Sequence, residues 1–432
     1  MSQSSPTQTA SQLWSIYLCG ATILAAIMVL SHIGPMVGSP QYLGLLGVAC
    51  MGYLAAMHQL RRSQPPVGTA LLICLALALV WRIPMTLSNV GDRSDVYRYL
   101  WDARLQRLGY SPYTIIPADP RFAFLHTPET RRMNNPDVPS SYPPGAQWAF
   151  RIITSFSDSV RAFKIAFLLC DLLIMGVLID WLRYARLSLW WVLAYAWNPL
   201  VSVEGTANLH LDPVGVLFLT ISFTALARGK SGVSMLAFAV AVAVKYLPIV
   251  LAPLFWRRVR FRDAAVSLAA FSAMYLPFIV DGGWPTGSLA IFIERFRFNH
   301  LVFGVLEPIL DPRALATLAL LVGIGTAALL RFRTGADSPA AWAWPMAAAL
   351  VCAPVIYPWY LYWLAPFLTV PANVPLMIWT VSILPTYVVH YLYEHGSEWV
   401  VPWWVLLLEY GSLAAAAVSL CVSRIVRPKR DI

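Results

Sequence analysis

Charge is scarce in this sequence. Only 12% of the 432 residues are Asp, Glu, Lys or Arg, against 59% hydrophobic, and the mean hydropathy is +0.63. An ordinary soluble domain carries about 25% charged and roughly 45–50% apolar residues. So few charges cannot coat a water-facing surface, which excludes a string of soluble domains and leaves a chain that faces lipid. Cysteine is scarce too. Cys19, Cys50, Cys74, Cys170, Cys352 and Cys421 lie in apolar stretches with no CxxC pair, which indicates neither a zinc site nor a disulfide framework. Alternation is missing from the apolar runs, which are continuous over about 20 residues, and that excludes a β-barrel. No repeat relates the two halves, which counts against a transporter built from inverted repeats. The first twelve residues lack charged side chains. The apolar run behind them has no convincing cleavage site and reads as a retained span.

What is present is a ladder of apolar runs separated by short basic loops. The net charge is +10, which here reads as positive-inside loops rather than a nucleic-acid surface. The expected fold is one all-α polytopic membrane domain over residues 1–432, with about twelve transmembrane helices and a re-entrant helix pair. The spans are Leu13–Ile33, Tyr42–Met57, Val67–Ile83, Phe163–Leu182, Leu187–Val203, Pro213–Ala227, Ala264–Ile279, Ala314–Leu330, Trp342–Ile356, Tyr360–Val370, Val374–His390 and Val405–Val422. Gly232–Trp256 breaks the sequence of crossings. As one span it would put Arg257, Arg258, Arg260 and Arg262 outside. Lys245 stands in its middle, followed by Pro248 and Pro253, so it reads as two half-length helices, in and back. Broken backbone at membrane depth is tolerated where it is buried in protein or lines a wet cavity.

Parity places the long polar segment 84–154 outside. Within it, Asp95–Leu108 has helical periodicity, with Tyr97, Trp101, Leu105 and Leu108 on one stripe and Asp95, Tyr99, Asp102 and Gln106 on another. This predicts an interfacial helix, 95–108, lying on the membrane with its acidic face turned to water or a cavity. Asp92, Ser94 or Asp95 can cap the helix start. Asp95 is also placed to act as a general base on a hydroxyl, and Asp102 reads as structural or as a sugar contact. Tyr142-Pro143-Pro144 forms a rigid descent to the next span.

Other outer polar groups converge on the same side. Asn208, His210 and Asp212 open one span; Arg295, Arg297 and His300 follow another; Tyr357 begins a Tyr-Pro-Trp-Tyr turn. Charges close to the bilayer are costly and usually mark function. Lys245 is one of only four lysines. It either snorkels to a headgroup or reaches into a cavity as a point charge for phosphate.

Ser94-Asp95-Val96-Tyr97, Gly109-Tyr110-Ser111-Pro112-Tyr113 and Tyr142-Pro143-Pro144 together resemble the GT-C membrane glycosyltransferases. The nearest branch is the bacterial polyprenyl-phosphate-mannose-dependent mannosyltransferases. Asn208–Asp212 and Lys245-Tyr246-Leu247-Pro248 fit it, and the resemblance runs from about Asp92 to Pro253. It implies an inverting transfer of a sugar, mannose first, from a polyprenyl-phosphate donor to a hydroxyl of a lipid-linked, glycan or protein acceptor. The base then falls on Asp95. Asp92, Tyr99, Asp102, Tyr142, Asn208, His210, Asp212, Lys245, Arg295, Arg297, His300 and Tyr357 would bind substrate, with Lys245, His210 and either Arg295 or Arg297 on the phosphate. The setting implied is a bacterial inner membrane with the site on the periplasmic or extracellular side, in contact with membrane lipid and not with nucleic acid. A divalent cation is compatible with these carboxylates, but no ligand spacing is diagnostic. The rival readings are a lipid or sugar transporter or flippase, and a glycan ligase or polymerase using a diphosphate-linked lipid.

Overall fold

The computed structural model describes residues 6–89, 91, 94–279 and 283–426. In chain order its α-helices are α1 Pro6–Ile33, α2 Pro40–Arg62, α3 Thr69–Leu87, α4 Ser94–Arg107, α5 Pro144–Phe156, α6 Val160–Tyr184, α7 Leu193–Ala196, α8 Pro199–Ser202 and α9 Asp212–Ala227. There follow α10 Ser231–Val244, α11 Phe261–Tyr275, α12 Leu289–Arg295, α13 Leu301–Leu306, α14 Pro312–Arg333, α15 Pro339–Val351, α16 Val374–Ser382, α17 Val388–Glu394 and α18 Trp403–Val426. Among the described residues there is no strand, only isolated bridging such as Phe298 with Val355. Local chemistry sets the ends. The Ser39 hydroxyl accepts the Tyr42 N–H at 3.2 Å with Pro40 at the first turn of α2. Asp311 accepts the N–H groups of Arg313 and Ala314, both at 3.0 Å, ahead of Pro312 in α14. These are orphan donors that a helix start must satisfy.

Seven helical segments among the described residues are long and apolar enough to cross a membrane: Ser11–Ile33, Pro40–Arg62, Thr69–Leu87, Val160–Tyr184, Pro312–Arg333, Pro371–Glu394 and Trp403–Val422. Three shorter apolar helices, α9, α10 and α15, accompany them. The protein is therefore an all-helical membrane protein. Two expected spans are built differently. Leu187–Val203 is a succession of short pieces: a 3-10 turn at Leu189–Val192, then α7 and α8. Tyr360–Val370 falls in a 3-10 run, Pro358–Leu368, interrupted by Pro366. Their apolar side chains are buried: Trp190, Leu193, Trp197, Leu200, Leu361, Trp363 and Leu364 have no exposed surface. A short apolar run serves protein interior as well as lipid, so composition alone could not separate the two.

The chain divides into two compact units, Met1–Gly91 with Leu178–Val203 and Leu364–Ile432, and Asp92–Val177 with Glu204–Trp363. The first unit is tied internally by buried polar groups. Arg82 donates to the carbonyls of Ala78 and Ala196 at 2.8 and 3.0 Å, and Asn198 donates to Thr380 at 2.8 Å.

The second unit carries the candidate site. Its α9 and α10 run antiparallel, with the Ser222 hydroxyl donating to the Ser234 carbonyl at 2.8 Å and the reverse bond at the same length. After α10 the backbone at Lys245 is extended, with φ −155° and ψ 137°. The 3-10 run Leu247–Phe255 then turns back, so that the rings of Phe238 and Phe255 lie 4.6 Å apart.

The acidic-striped helix is present as α4. Val96, Arg98, Tyr99, Leu100, Trp101, Asp102, Ala103, Leu105 and Gln106 are all buried. The helix α5 and the segment carrying Phe122 and Met133 pack around it, covering both stripes except at Leu108 and Asp95. Most of the helix is thus enclosed by protein, where one face on lipid and one on water or a cavity were expected; the Asp95 end of the acidic stripe stays open. The helix α5 lies inside the segment read as polar loop. At Gly145 an added Cβ would come within 2.6 Å of the Ala243 backbone, so only glycine allows α5 to cross α10 this closely.

Candidate active site

The acidic end of α4 is fixed by the loop that follows it. Gly109, at φ +82°, closes the helix with its N–H on the Gln106 carbonyl at 3.0 Å. The chain returns to the first turn, where Arg98 holds it by donating to the carbonyls of Val138 at 2.6 Å and Asn135 at 3.3 Å. This brings Asn134 onto Asp95, its Nδ2 donating to Oδ1 at 2.9 Å. The Asp95 side chain keeps 16% of its surface exposed. Tyr142 approaches the same carboxylate. Burial, with the Asp95 charge next in size, pushes the Tyr142 hydroxyl well above its ordinary range, so Tyr142 stays a neutral donor.

A second set of groups comes from the segment ahead of α9. Val203–Ala207 forms a π-helical turn, and Leu209 has φ +62°, a conformation that L residues with bulky side chains rarely hold. The distorted turn folds the segment onto Glu204. The Glu204 carbonyl accepts the His210 N–H at 3.1 Å, while Oε2 accepts from Asn208 Nδ2 and faces His210 Nδ1, each at 3.0 Å. The other ring nitrogen, Nε2, points at Asp95 Oδ2 at 3.7 Å. The ring lies flat on Trp359, centroids 3.8 Å apart, and Trp359 stacks on Tyr357 at 4.3 Å. Tyr357 continues onto Phe298 at 4.5 Å. Burial disfavours the His210 imidazolium, but the Glu204 hydrogen bond and charge, then Asp95 and Asp212, outweigh it and hold its pKa above the ordinary value.

The third set is a closed ion pair. Asp212 opens α9 ahead of Pro213. Lys245 Nζ donates to Asp212 Oδ1 at 2.6 Å and sits 3.9 Å above the Tyr360 ring. Trp363 Nε1 donates to the same oxygen at 2.5 Å. Trp363 reaches it because Gly215 leaves room: a Cβ there would meet the indole at 2.3 Å. Lys245 retains 25% exposure while Asp212 keeps 5%. The chain turns at Lys245 and delivers it to the start of α9, so the ammonium in the apolar run has a carboxylate partner not assigned to it from the sequence.

The structure sorts the remaining predicted residues. Asp92 lies outside the described residues. Tyr99 is buried on Phe150, 4.3 Å between ring centroids, with its hydroxyl accepting the Leu211 N–H at 3.3 Å; it braces the His210 segment and offers nothing to substrate. Asp102 is fully buried and accepts from Gln147 Nε2 at 2.8 Å, which fits the structural one of its two readings and leaves it out of reach of a sugar. Asn208 is likewise buried, committed to Glu204. Arg297 is occupied by Glu307, at 2.8 and 2.6 Å, and by the carbonyls of Ile293, Glu294 and Phe296. Its donors are thus engaged within the protein. Arg295 is exposed, and His300 precedes α13 with its pKa lowered mainly by burial. Tyr357 spends both ring faces on Trp359 and Phe298. Glu204, Trp359, Tyr360 and Trp363 were not among the predicted site residues. The signal for Glu204 was available: an acid four and six residues ahead of Asn208 and His210, beside an apolar run.

Among the described residues no group of three or more His, Cys, Asp or Glu is disposed to hold a metal ion. The arrangement instead offers one partly open carboxylate and one partly open ammonium.

The family model described as alpha-(1->6)-mannopyranosyltransferase, N-terminal domain, of the MptA/MptB family matches residues 16–259. The model of the MptB C-terminal domain matches residues 284–422. No curated protein and no solved structure gives a significant match. The chain belongs to this family of mannosyltransferases, which makes it a glycosyltransferase and sets aside the transporter alternative.

Proposed function

We propose that this member of the alpha-(1->6)-mannopyranosyltransferase family moves mannose from a polyprenyl-phosphate donor to a hydroxyl of a lipid-linked or glycan acceptor, with inversion. Asp95 takes the proton of the acceptor hydroxyl. The acceptor oxygen bonds to the anomeric carbon as the bond from that carbon to the phosphate oxygen breaks, and polyprenyl phosphate departs with the electron pair. Lys245 offers its ammonium to the phosphate, held in place by Asp212 and the Tyr360 ring. Preorganised charge of this kind acts where charge develops. Inversion at a β-linked donor gives an α product, the anomer in the family description. No step is assigned to a divalent cation.

The observation that carries this reading is the contrast in exposure within one cluster. Asp95 and Lys245 keep 16% and 25% of their side-chain surface, while the carboxylates beside them are closed. The reading further places segment 84–154 on the periplasmic or extracellular side of a bacterial inner membrane and 257–262 in the cytoplasm. It keeps about twelve crossings, with the α10 hairpin as a re-entrant pair. The test is transfer by purified protein from a panel of lipid-linked donors. Consumption of polyprenyl-phosphate mannose with an α-linked product supports it; exclusive use of a nucleotide or diphosphate-linked donor sinks it. Labelling of single cysteines in intact cells reads the topology separately. Labelling at 257–262 from outside would replace the hairpin with one full span.

A further inference from the structure

Two buried groups of the cluster have no part in the mechanism so far. Glu204 has no exposed surface and His210 keeps 3%. Neither is open to a sugar, and the imidazole that the sequence offered for the phosphate is enclosed. Its three sides are spoken for by Glu204 on Nδ1, the Trp359 ring on one face and Asp95 opposite Nε2. A buried carboxylate and imidazole are costly to keep unless their arrangement serves something. A distorted π-helical turn and a left-handed Leu209 hold them there, and strain of this kind concentrates at working sites.

We infer that Glu204 and His210 are positioning residues that aim Asp95 and hold its proton during the transfer. This inference rests on the reading of Asp95 as the base. Above its raised pKa the His210 ring is neutral, and Glu204, an acceptor, then fixes its proton on Nδ1 and leaves the Nε2 lone pair toward Asp95. Two acceptors facing each other at 3.7 Å make no hydrogen bond. When Asp95 takes the acceptor's proton, a donor stands between them and the gap closes by roughly 0.5–1 Å into hydrogen-bond reach, as catalytic contacts do on substrate binding. The proton passes from the Asp95 carboxyl to Nε2. The resulting imidazolium is stabilised by the Glu204 charge against its Nδ1–H, and Asp95 is again an anion. Once product has left, the proton returns from Nε2 to Asp95, whose partly open carboxyl releases it to water and resets the ring.

The charged and titratable groups around the ring define the pH dependence. They are Glu204 from the π-helical turn, Asp95 from α4 and Asp212 from the start of α9. Lys245 pairs with Asp212, and the stack adds Tyr357 behind Trp359. A ring already protonated cannot take the proton, so activity falls on the acid side as His210 titrates.

The test uses the full-length protein with polyprenyl-phosphate mannose. Glu204→Gln keeps a carbonyl oxygen for Nδ1–H and removes the charge. The imidazolium loses its partner, so the acid limb of kcat/KM moves to lower pH. The kcat falls on the order of 10²-fold, the lower end of what losing a positioned proton-transfer group costs, with the donor KM little changed. His210→Gln abolishes that limb's dependence on the ring and leaves only a carboxylate titration; it serves also where Glu204→Gln fails to fold. A loss of rate with an unmoved acid limb in a folded variant overturns the relay and leaves the pair purely structural. Asp95→Asn separates the two claims. If it is inactive while both pH profiles match wild type, the relay fails and the base stands. If it is active, the base reading fails.

Discussion

Asp95 and Asp102 stand two turns apart on one face of α4, and their fates differ entirely. Asp95 meets an amide from Asn134, an imidazole across 3.7 Å and open space. Asp102 is sealed under Gln147, which also donates to the Ser140 hydroxyl at 2.8 Å. The helix supplies both with the same spacing and the same chemistry. What separates them is the tertiary cover: the returning 134–138 loop leaves the first turn open, while α5 closes the second. Residue type and periodicity nominate an acid; only its neighbours decide whether it works on substrate or on the fold.

The sharpest way to break that comparison is at Asp95. Asp95→Asn preserves shape and can still accept from Asn134 Nδ2, but it cannot take a proton. Transfer is expected to fall by about 10²–10⁴-fold, with donor binding nearly intact in an equilibrium measurement. Retained turnover would remove Asp95 from the chemistry and leave it a capping residue.

Lys245 comes next in size, and its setting changes what the experiment must be. Lys245→Met alone strands the Asp212 carboxylate with only Trp363, and breaking a buried pair on one side is itself destabilising. Lys245→Met with Asp212→Asn removes both charges and isolates the effect on the donor. Its KM should rise roughly 10- to 100-fold, the worth of a hydrogen bond to a charged group, and Lys245→Arg should recover part of it. Unchanged KM and kcat in the double variant would show that the ion pair is structural.

Much of this was legible in advance, for identifiable reasons. Scarcity of charge gave the membrane class. The 95–108 periodicity matched α4 at Ser94–Arg107 because Gly109 can adopt the positive φ that ends a helix there. Lys245 beside Pro248 marked the turn after α10. Burial was not legible. The apolar stripe Tyr97, Trp101 and Leu105 reads identically whether lipid or the 122–133 segment covers it, and the same ambiguity hid the short buried pieces of which Leu187–Val203 is built. Trp363 escaped because its role comes from a contact 151 residues along the chain, which no local pattern encodes, whereas Glu204, six residues ahead of His210, was within reach of local spacing.

The smallest effect belongs to Asp102, and it checks the comparison from the other side. Burial raises its pKa above the ordinary carboxyl value, against the Arg98 charge and the bonds from Gln147 and Ser140. A carboxyl whose folded pKa is raised resists ionisation in the native state. Its cost is therefore absent below the unfolded pKa and grows as pH rises past it. Asp102→Asn removes that ionisation while its carbonyl oxygen still accepts from Gln147. Stability should change by no more than about 1 kcal/mol and should lose part of its decline with rising pH. Turnover should fall less than about tenfold, against the 10²–10⁴ range for a lost base. Thermal midpoints across pH with kcat measured alongside give both readouts. A hundredfold loss of kcat at unchanged stability would put Asp102 on the substrate and erase the distinction between the two acids.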